Sequence, residues 1–200
     1  MKQFIVFFLM ISTLSCAQDK TDIKVETQWQ REINTNFKDA SKSPLTAKGL
    51  KKFKGLDFFS FDSSYVVTAK LKLTPDSKPF KMKTTTDRRP LYRIFGIATF
   101  ELNGKTHQLN VYQNLGLLNK KGYEDYLSIP FYDDTNGETT YGGGRYVEAR
   151  IPEGDHLVIN FNQAYNPYCA YSDRYSCTLV PRVNYLETAV EAGVKAYKKP

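Results

Sequence analysis

Residues 91–112 read LYRIFGIATFELNGKTHQLNVY, and this stretch decides the fold. Two runs rich in β-branched and aromatic residues flank Asn103 and Gly104. Asn-Gly between such runs is the strongest short-range signal of a β-hairpin, because both residues tolerate the positive φ angles of a type I′ turn. The stretch therefore predicts two antiparallel strands, at 91–102 and 106–112, joined by a tight turn.

Further strands are predicted on both sides of this hairpin. At 65–73 apolar and polar residues alternate, as in a strand with one buried face. A turn at 75–77 separates it from a second strand at about 80–85. Similar patterns predict strands at 127–131, 140–150 and 156–161. The predicted class is mainly β with flanking helices (α+β), with a mostly antiparallel, curled sheet arranged as a barrel or a sandwich.

A helix is predicted at each end of this sheet. The apolar residues of the first recur at every fourth position: Trp29, Ile33 and Phe37. A short basic helix at about 46–53 is predicted to follow it. The apolar residues of the last helix share one face: Leu186, Val190, Val194 and Tyr197. Asn184 and Glu187 have the spacing of a capping box, which favours a C-terminal helix beginning there.

The N-terminus predicts export. Residues 1–15 combine Lys2 with a short apolar stretch, which is typical of a secretory signal and too short for a membrane-spanning helix. The segment 13–16 resembles the lipobox of bacterial lipoproteins, with Cys16 as the lipidated residue. Cleavage after Ala17 is the alternative and would release a soluble protein. The lipoprotein prediction makes 17–26 a tether and 27–200 a single domain in the cell envelope, anchored to the membrane and facing the periplasm or the cell surface.

Charge and motifs exclude several classes of function. The net charge is +7, but the basic residues are scattered and form no nucleic-acid motif, so no nucleic-acid partner is predicted. The chain has no P-loop and no Rossmann fingerprint, and no cofactor is predicted. His107 and His156 have no motif context and lie far from the cysteines, so no metal site is predicted.

Polar residues and glycines crowd the region from 130 to 169, which indicates a site or a polar network. The candidate ligand-binding residues are Asp133, Asp134, Tyr141, Arg145, Asn160, Asn162, Tyr165 and Asn166. The guanidinium of Arg145 suits a carboxylate or phosphate ligand, or an internal ion pair with Asp133 or Asp134. Glycines at 142–144 indicate a close approach to the backbone, either by a bulky aromatic side chain from the next strand or by a ligand.

Three motifs in this region resemble one family. They are Asp-x-Thr-x-Gly at 133–137, Thr-Tyr-Gly-Gly-Gly-Arg-Tyr at 140–146, and Asn-Phe-Asn-x-Ala-Tyr-Asn-Pro at 160–167, followed by two cysteines. From Leu127 to Lys195 the chain resembles domain of unknown function 1684, an uncharacterised bacterial family. Many members carry Asp where this chain has Asn160, and an amide cannot accept a proton as a general base. The resemblance identifies relatives but implies no particular reaction.

Cys169 and Cys177 are the two cysteines that remain beyond Cys16. In an oxidising compartment this pair predicts a disulfide that closes a short loop. A metal pair is the alternative, although the spacing is not that of a zinc knuckle. Thiol exchange is disfavoured because the pair lacks the Cys-x-x-Cys spacing.

Three functions stay open at this point. The first is an envelope lipoprotein whose domain binds a small polar or anionic ligand, or an envelope protein partner. The second is a hydrolase of an envelope glycan or ester, with Asp134 as acid or base, paired with Glu138 or Glu148, and with Arg145 orienting the substrate. The third is a purely structural scaffold pinned by a disulfide.

Overall fold

The computed structural model describes residues 26–199. The predicted signal segment at 1–15, the lipidation site Cys16 and residues 17–25 of the predicted tether lie outside the described residues and stay predictions. No helix within 26–199 is long and apolar enough to cross a membrane.

Within the described residues, eight strands form the sheet: β1 (Val66–Leu73), β2 (Phe80–Lys81), β3 (Leu91–Leu102), β4 (Lys105–Asn114), β5 (Tyr126–Asp133), β6 (Arg145–Arg150), β7 (His156–Asn160) and β8 (Tyr185–Leu186). The order is β6-β5-β4-β3-β1-β7, with β2 on β3 and β8 on β5. All pairs are antiparallel except β5 with β8. The sheet curls into a half-barrel, which confirms the predicted fold class.

The hairpin that decides the fold forms as predicted. Leu102 pairs with Lys105, and the two residues between them adopt the positive φ angles of 51° and 72° that the Asn-Gly turn requires. A register shift between Ile94 and Gly96 marks a bulge in β3. A Cβ at Gly96 would lie 2.8 Å from the carbonyl oxygen of Lys72, so the absence of a side chain lets β1 and β3 approach there.

Alternation along the strands gives the sheet two distinct faces. Leu127, Ile129 and Phe131 of β5 are fully buried and join the main core inside the half-barrel. The intervening residues, including Tyr126 and Ser128, point to the opposite side, which we call the outer face. The core therefore lies on one side of the sheet, and the outer face is free to carry other chemistry.

Two short helices lie at the N-terminal end, as predicted: α1 (Gln28–Lys38) and α2 (Ala47–Lys52). Thr27 begins α1 with a capping box, in which its hydroxyl accepts from the Gln30 amide and its own amide donates to the Gln30 side chain. The apolar face of α1 contributes Phe37 to a second core cluster, together with Tyr171 and Val194 from the C-terminal third of the chain.

The predicted C-terminal helix is wrong. After β8 the backbone amides bond to other parts of the chain: Val194 donates to the Ala164 carbonyl at 2.9 Å and Lys195 to that of Asp57 at 2.9 Å. Gly193 has a φ of 78°, outside the helical region. A helix would use these amides internally, so the apolar residues at helical spacing instead pack onto the two cores from an irregular segment.

Two strand boundaries also differ from the prediction. The second strand is only Phe80–Lys81, because the chain leaves β3 after two residues. The strand predicted at 140–150 begins at Arg145, because residues before it form a turn that ends at Gly144 with a φ of 84°. The glycines therefore belong to a turn and not to a strand.

Asn184 links β4 and β5 at a point where the two strands lack direct backbone hydrogen bonds. Pro130 of β5 has no amide hydrogen to donate. The side chain of Asn184 enters there and takes the place of a peptide group: its Oδ1 accepts from the Asn110 amide at 2.9 Å, and its Nδ2 donates to the carbonyls of Asn110 at 2.9 Å and Pro130 at 2.7 Å. The sequence-based assignment of Asn184 as a helix cap is therefore wrong, and the residue is a strand bridge.

We expect Asn184→Ala to lower the free energy of unfolding by about 2–4 kcal/mol, because it leaves three buried backbone groups without partners. Urea unfolding followed by circular dichroism measures this loss. Asn36→Ala, at an exposed position of α1, is the matched control and should stay within about 0.5 kcal/mol. Equal stability of the two variants would contradict the bridging role.

Candidate functional site

The candidate residues Asp133 and Arg145 meet in a buried ion pair. The side chains of both are 0% exposed, and Arg145 Nη2 lies 2.8 Å from Asp133 Oδ2. The same nitrogen donates to the Val190 carbonyl at 2.8 Å, and Nη1 donates to the carbonyl of Ala192. The Arg145 guanidinium also lies over the ring of Phe131, 5.2 Å from its centroid.

Asp133 completes this cluster from the other side. Its Oδ1 accepts from the amide of Thr135 at 2.9 Å and from that of Val190 at 3.2 Å. Burial lowers the pKa of Arg145 and the charge of Asp133 opposes that shift. The predicted internal ion pair with Asp133 is therefore present, and both groups are closed to solvent.

The other polar candidates lie at separate places. Asp134 is exposed and accepts from the Tyr185 hydroxyl. Asn160 Oδ1 accepts from the amide of Asn162 at 3.1 Å. Asn162 bonds both backbone groups of Asp62, at 3.0 and 2.8 Å, and thereby holds the loop before β1. These residues fix loops and do not converge on one ligand.

Asn166 and the glycines also serve the packing of the chain. Asn166 is buried, and its Nδ2 donates to the Lys195 carbonyl at 2.9 Å. A Cβ at Gly143 would lie 2.4 Å from the ring of Tyr141, and one at Gly144 would lie 2.6 Å from Val180 and 2.9 Å from the Phe131 carbonyl oxygen. An aromatic ring therefore explains Gly143, although it comes from the same turn and not from the next strand, whereas an aliphatic side chain and the backbone approach Gly144.

The outer face carries a cluster that joins Tyr165, one of the candidate residues, to Tyr126 and Glu148, which were not among the candidate ligand-binding residues. Tyr126 of β5 and Glu148 of β6 project from it, and an antiparallel bridge between Tyr146 and Tyr165 brings the Tyr165 side chain alongside. The Tyr126 hydroxyl donates to Glu148 Oε1 at 3.2 Å, and the Tyr165 hydroxyl donates to the same oxygen at 3.1 Å. We call Tyr126, Glu148 and Tyr165 the Tyr-Glu-Tyr cluster.

One carboxylate oxygen of this cluster is unused. Glu148 is exposed, and among residues 26–199 no hydrogen bond reaches its Oε2. Burial and the nearby charge of Glu148 raise the pKa of Tyr126, and burial raises that of Tyr165 well above its ordinary value. Both phenols therefore stay protonated and continue to donate at neutral pH.

More aromatic surface surrounds the Tyr-Glu-Tyr cluster. The ring of Tyr123 lies 5.5 Å from that of Tyr126. Tyr168 is 46% exposed, and burial is the largest cause that raises its pKa, followed by the charges of Tyr175 and Glu148. The outer face thus combines an open carboxylate with exposed ring surface.

The cysteine prediction needs a correction. Cys169 and Cys177 are free thiols and not a disulfide. The sulfur of Cys177 instead accepts a hydrogen bond from the Cys169 amide at 3.1 Å. The hydroxyl of Tyr141, another candidate residue, bonds to the Cys169 thiol. The two side chains are therefore neighbours that use their sulfurs in hydrogen bonds.

A groove of about 600 Å³ opens between the loop at 59–65 and Glu191, with Phe59, Phe61 and Tyr65 along it. Its Asp62 accepts from the Ser64 amide at 2.8 Å, and hydrogen bonds from the Ser64 side chain, first, and from this amide lower the pKa of Asp62. The groove therefore combines apolar rings with polar groups of Ser60, Ser63 and Glu191. Within the described part of the chain, no group of three or more His, Cys, Asp or Glu residues could hold a metal ion.

We expect Arg145→Ala to destabilise the fold by about 3–5 kcal/mol, because it leaves the Asp133 carboxylate buried without its partner. Urea unfolding measures the loss. The matched control is Arg150→Ala on the same strand, since Arg150 forms an exposed ion pair with Asp125 at 2.7 Å and should cost no more than about 1 kcal/mol. An Arg145→Ala domain as stable as the control would refute an architectural role.

Comparison with known proteins agrees with the fold and assigns no chemistry. The solution NMR structure of an uncharacterised protein from gene locus rrnAC0354 of Haloarcula marismortui is similar, with 33% sequence identity, a TM-score of 0.66, and coverage of 83% of this chain and 89% of that one. No curated protein matches. The model of the DUF1684 family, described as a protein of unknown function, matches residues 51–195. The chain therefore belongs to the DUF1684 family.

Proposed function

We propose that the domain binds a small, neutral, hydroxyl-rich ligand, such as a sugar unit, at the Tyr-Glu-Tyr cluster. The observation that carries this proposal is the position of Glu148, whose Oε1 is held by two tyrosine hydroxyls while its Oε2 faces solvent. A carboxylate fixed in this way is ready to accept from a ligand hydroxyl without first losing side-chain entropy.

The surrounding rings favour the same class of ligand. Exposed aromatic side chains offer an apolar face beside a polar edge, which suits a ligand with both C–H and O–H groups. Tyr123 and Tyr168 provide this surface next to the cluster. Main-chain bonds at 3.0 Å in both directions between Tyr146 and Tyr165 keep the edge of the site rigid.

Charge argues against the ionic alternatives. The negative charge of Glu148 disfavours an anionic ligand, although such a ligand was one of the predictions from the sequence. Cationic ligands bind over aromatic faces, but two of these rings already hold the protein's own cations. Lys120 lies 4.4 Å from the centroid of Tyr123, and the guanidinium of Arg150 lies 5.8 Å from that of Tyr126. Of the three charge classes of ligand, the Tyr-Glu-Tyr cluster therefore favours a neutral one.

Support is weaker for the hydrolase alternative. Glu148 pairs with Ser128, and Asp134 lies six residues further along the chain, just past the end of β5, which separates the two carboxylates by about 20 Å at roughly 3.3 Å per residue. Glycosidase carboxylates lie about 5–9.5 Å apart. Asp134 also bonds to Tyr185, away from the Tyr-Glu-Tyr cluster. We therefore place binding ahead of catalysis, and we propose the cell envelope, through lipid at Cys16, as its location.

Titration of the domain with neutral mono- and disaccharides, followed by NMR of the tyrosine side chains, tests the proposal. We expect Glu148→Gln to weaken binding about tenfold or more, because hydrogen bonds to a charged acceptor contribute about 1.5–3 kcal/mol. The matched control is Glu101→Gln, which removes another exposed carboxylate that accepts from a hydroxyl, that of Thr106, but has no tyrosine partner in the described chain. It should bind as the wild type does.

Two results would overturn this function. One is the absence of binding by every sugar in the panel at millimolar concentration. The other is equal affinity of Glu148→Gln and the wild type, which would place the ligand elsewhere. Thermal unfolding of each variant excludes the trivial explanation, since an exposed Glu→Gln change should leave the melting temperature nearly unchanged.

A further inference from the structure

The thiols of Cys169 and Cys177 are brought together by two independent anchors. Cys169 lies in a short 3-10 turn, Tyr168–Ala170. Cys177 lies in an extended segment fixed against the chain after β2: its carbonyl accepts from the Thr85 amide at 2.9 Å, and its own amide donates to the Thr85 hydroxyl at 3.1 Å. Cys177 Sγ lies 3.1 Å from the Cys169 amide nitrogen, so the fold brings the two cysteines together across eight positions of sequence.

The hydrogen bonds around this pair are asymmetric. The thiol of Cys169 interacts with the Cys177 thiol and with the Tyr141 hydroxyl, both of which can donate to it. Cys177 accepts from the Cys169 amide. Both side chains are half-buried, so a small reagent can reach them. Two side-chain donors thus face the Cys169 sulfur and can stabilise a negative charge on it, and Cys177 lies beside it.

The electrostatics follow from this asymmetry. Hydrogen bonding by Cys177 is the largest cause that lowers the pKa of Cys169 to about 7, with Tyr141 adding to the effect and burial opposing it. The pKa of Cys177 is raised, chiefly because it donates to Cys169. The charge of Cys169, after burial, raises the pKa of Tyr141 to about 12, so this phenol keeps its proton.

We propose that Cys169 and Cys177 form a reactive dithiol that exchanges with small, low-molecular-weight disulfides, with Cys169 as the attacking thiol and Cys177 as the resolving thiol. The Cys-x-x-Cys spacing is unnecessary here, because the turn at Cys169 and the anchor at Cys177 already bring the sulfurs together. This site is separate from the proposed ligand site and does not depend on it.

The reaction balances in two steps. The Cys169 thiolate attacks one sulfur of the external disulfide, which forms a mixed disulfide and expels the other sulfur as a thiolate. Cys177 then gives up its proton to water and attacks Sγ of Cys169, which expels the second thiolate. The two cysteines lose two electrons and two protons, and the external disulfide takes them up as two thiols.

The test uses reduced full-length protein, with Cys16→Ser in every variant to remove the third cysteine, and oxidised glutathione as the small disulfide. Acid-quenched samples are analysed by intact mass spectrometry. We expect the protein with both thiols to lose two hydrogens and release two glutathiones. Cys177→Ser should stop as a stable glutathione adduct, because its resolving thiol is missing.

The rates distinguish the two thiols. A pKa near 7 instead of 9 gives Cys169 about 50-fold more thiolate at pH 7, and the lower basicity costs about eightfold in nucleophilicity. The serine hydroxyl in Cys177→Ser can donate to Cys169 in place of the thiol, so this variant should form its adduct several-fold faster than Cys169→Ser. Tyr141→Phe removes the second donor and should slow the reaction of Cys169.

Unfolded protein is the control for chemistry that needs no fold. In 8 M urea, a denaturing concentration of the order used for small domains, both single variants should react at the same rate. Equal rates of the two variants in the native state would overturn the proposal. A protein with both thiols that accumulates glutathione adducts without closing the internal bond would also overturn it, because Cys177 would then not resolve.

Discussion

The fold depends on the buried pair of Arg145 and Asp133. A guanidinium without water needs acceptors for its N–H groups. The two Nη atoms find them in a carboxylate and two backbone carbonyls, while Nε has none within the described residues. Those carbonyls belong to Val190 and Ala192. They can accept from Arg145 because the segment after β8 is irregular, and its carbonyls are not used in the hydrogen bonds of a helix. One charged side chain thereby joins β5, β6 and the end of the chain, and removing either partner would leave the other at a high desolvation cost.

Side chains of β6 alternate between the two faces of the sheet, so residues that stabilise the fold lie on one face and residues that can contact a ligand lie on the other. Arg145 and Val147 point into the core, while Tyr146 and Glu148 point to the outer face. The family motifs around Arg145 are therefore mostly about building the sheet, and the residues that can meet a ligand alternate with them. Asn184 has a similar architectural role between β4 and β5, where its amide substitutes for the missing peptide pairing at Pro130.

Local sequence patterns predicted secondary structure correctly where no long-range interaction competed with them. The Asn-Gly hairpin and α1 with its capping box form because turn geometry and amphipathic spacing face no competing demand. The prediction of a C-terminal helix was wrong. Val190 and Val194 do have helical spacing, but the backbone amides of their segment bond to acceptors in distant parts of the chain and not within a helix. Of the candidate site, an ion pair of Arg145 with Asp133 was one of the alternatives that the sequence left open, beside a pair with Asp134 and a ligand contact. Glu148 was named only as a weak partner of Asp134, because an exposed glutamate gives no signal until Tyr165 is placed beside it by a bridge between distant segments.

The acceptors of Arg145 also bear on when the domain can fold. Asp133 lies 12 residues before Arg145, but its two carbonyl acceptors lie 45 and 47 residues after it, and the second core cluster joins α1 to Val194. During synthesis the guanidinium can meet the Asp133 carboxylate early, but it lacks the two carbonyls until residues 190–192 emerge from the ribosome. Burial of Arg145 is less favourable before that point, so the half-barrel should close only after this segment has emerged.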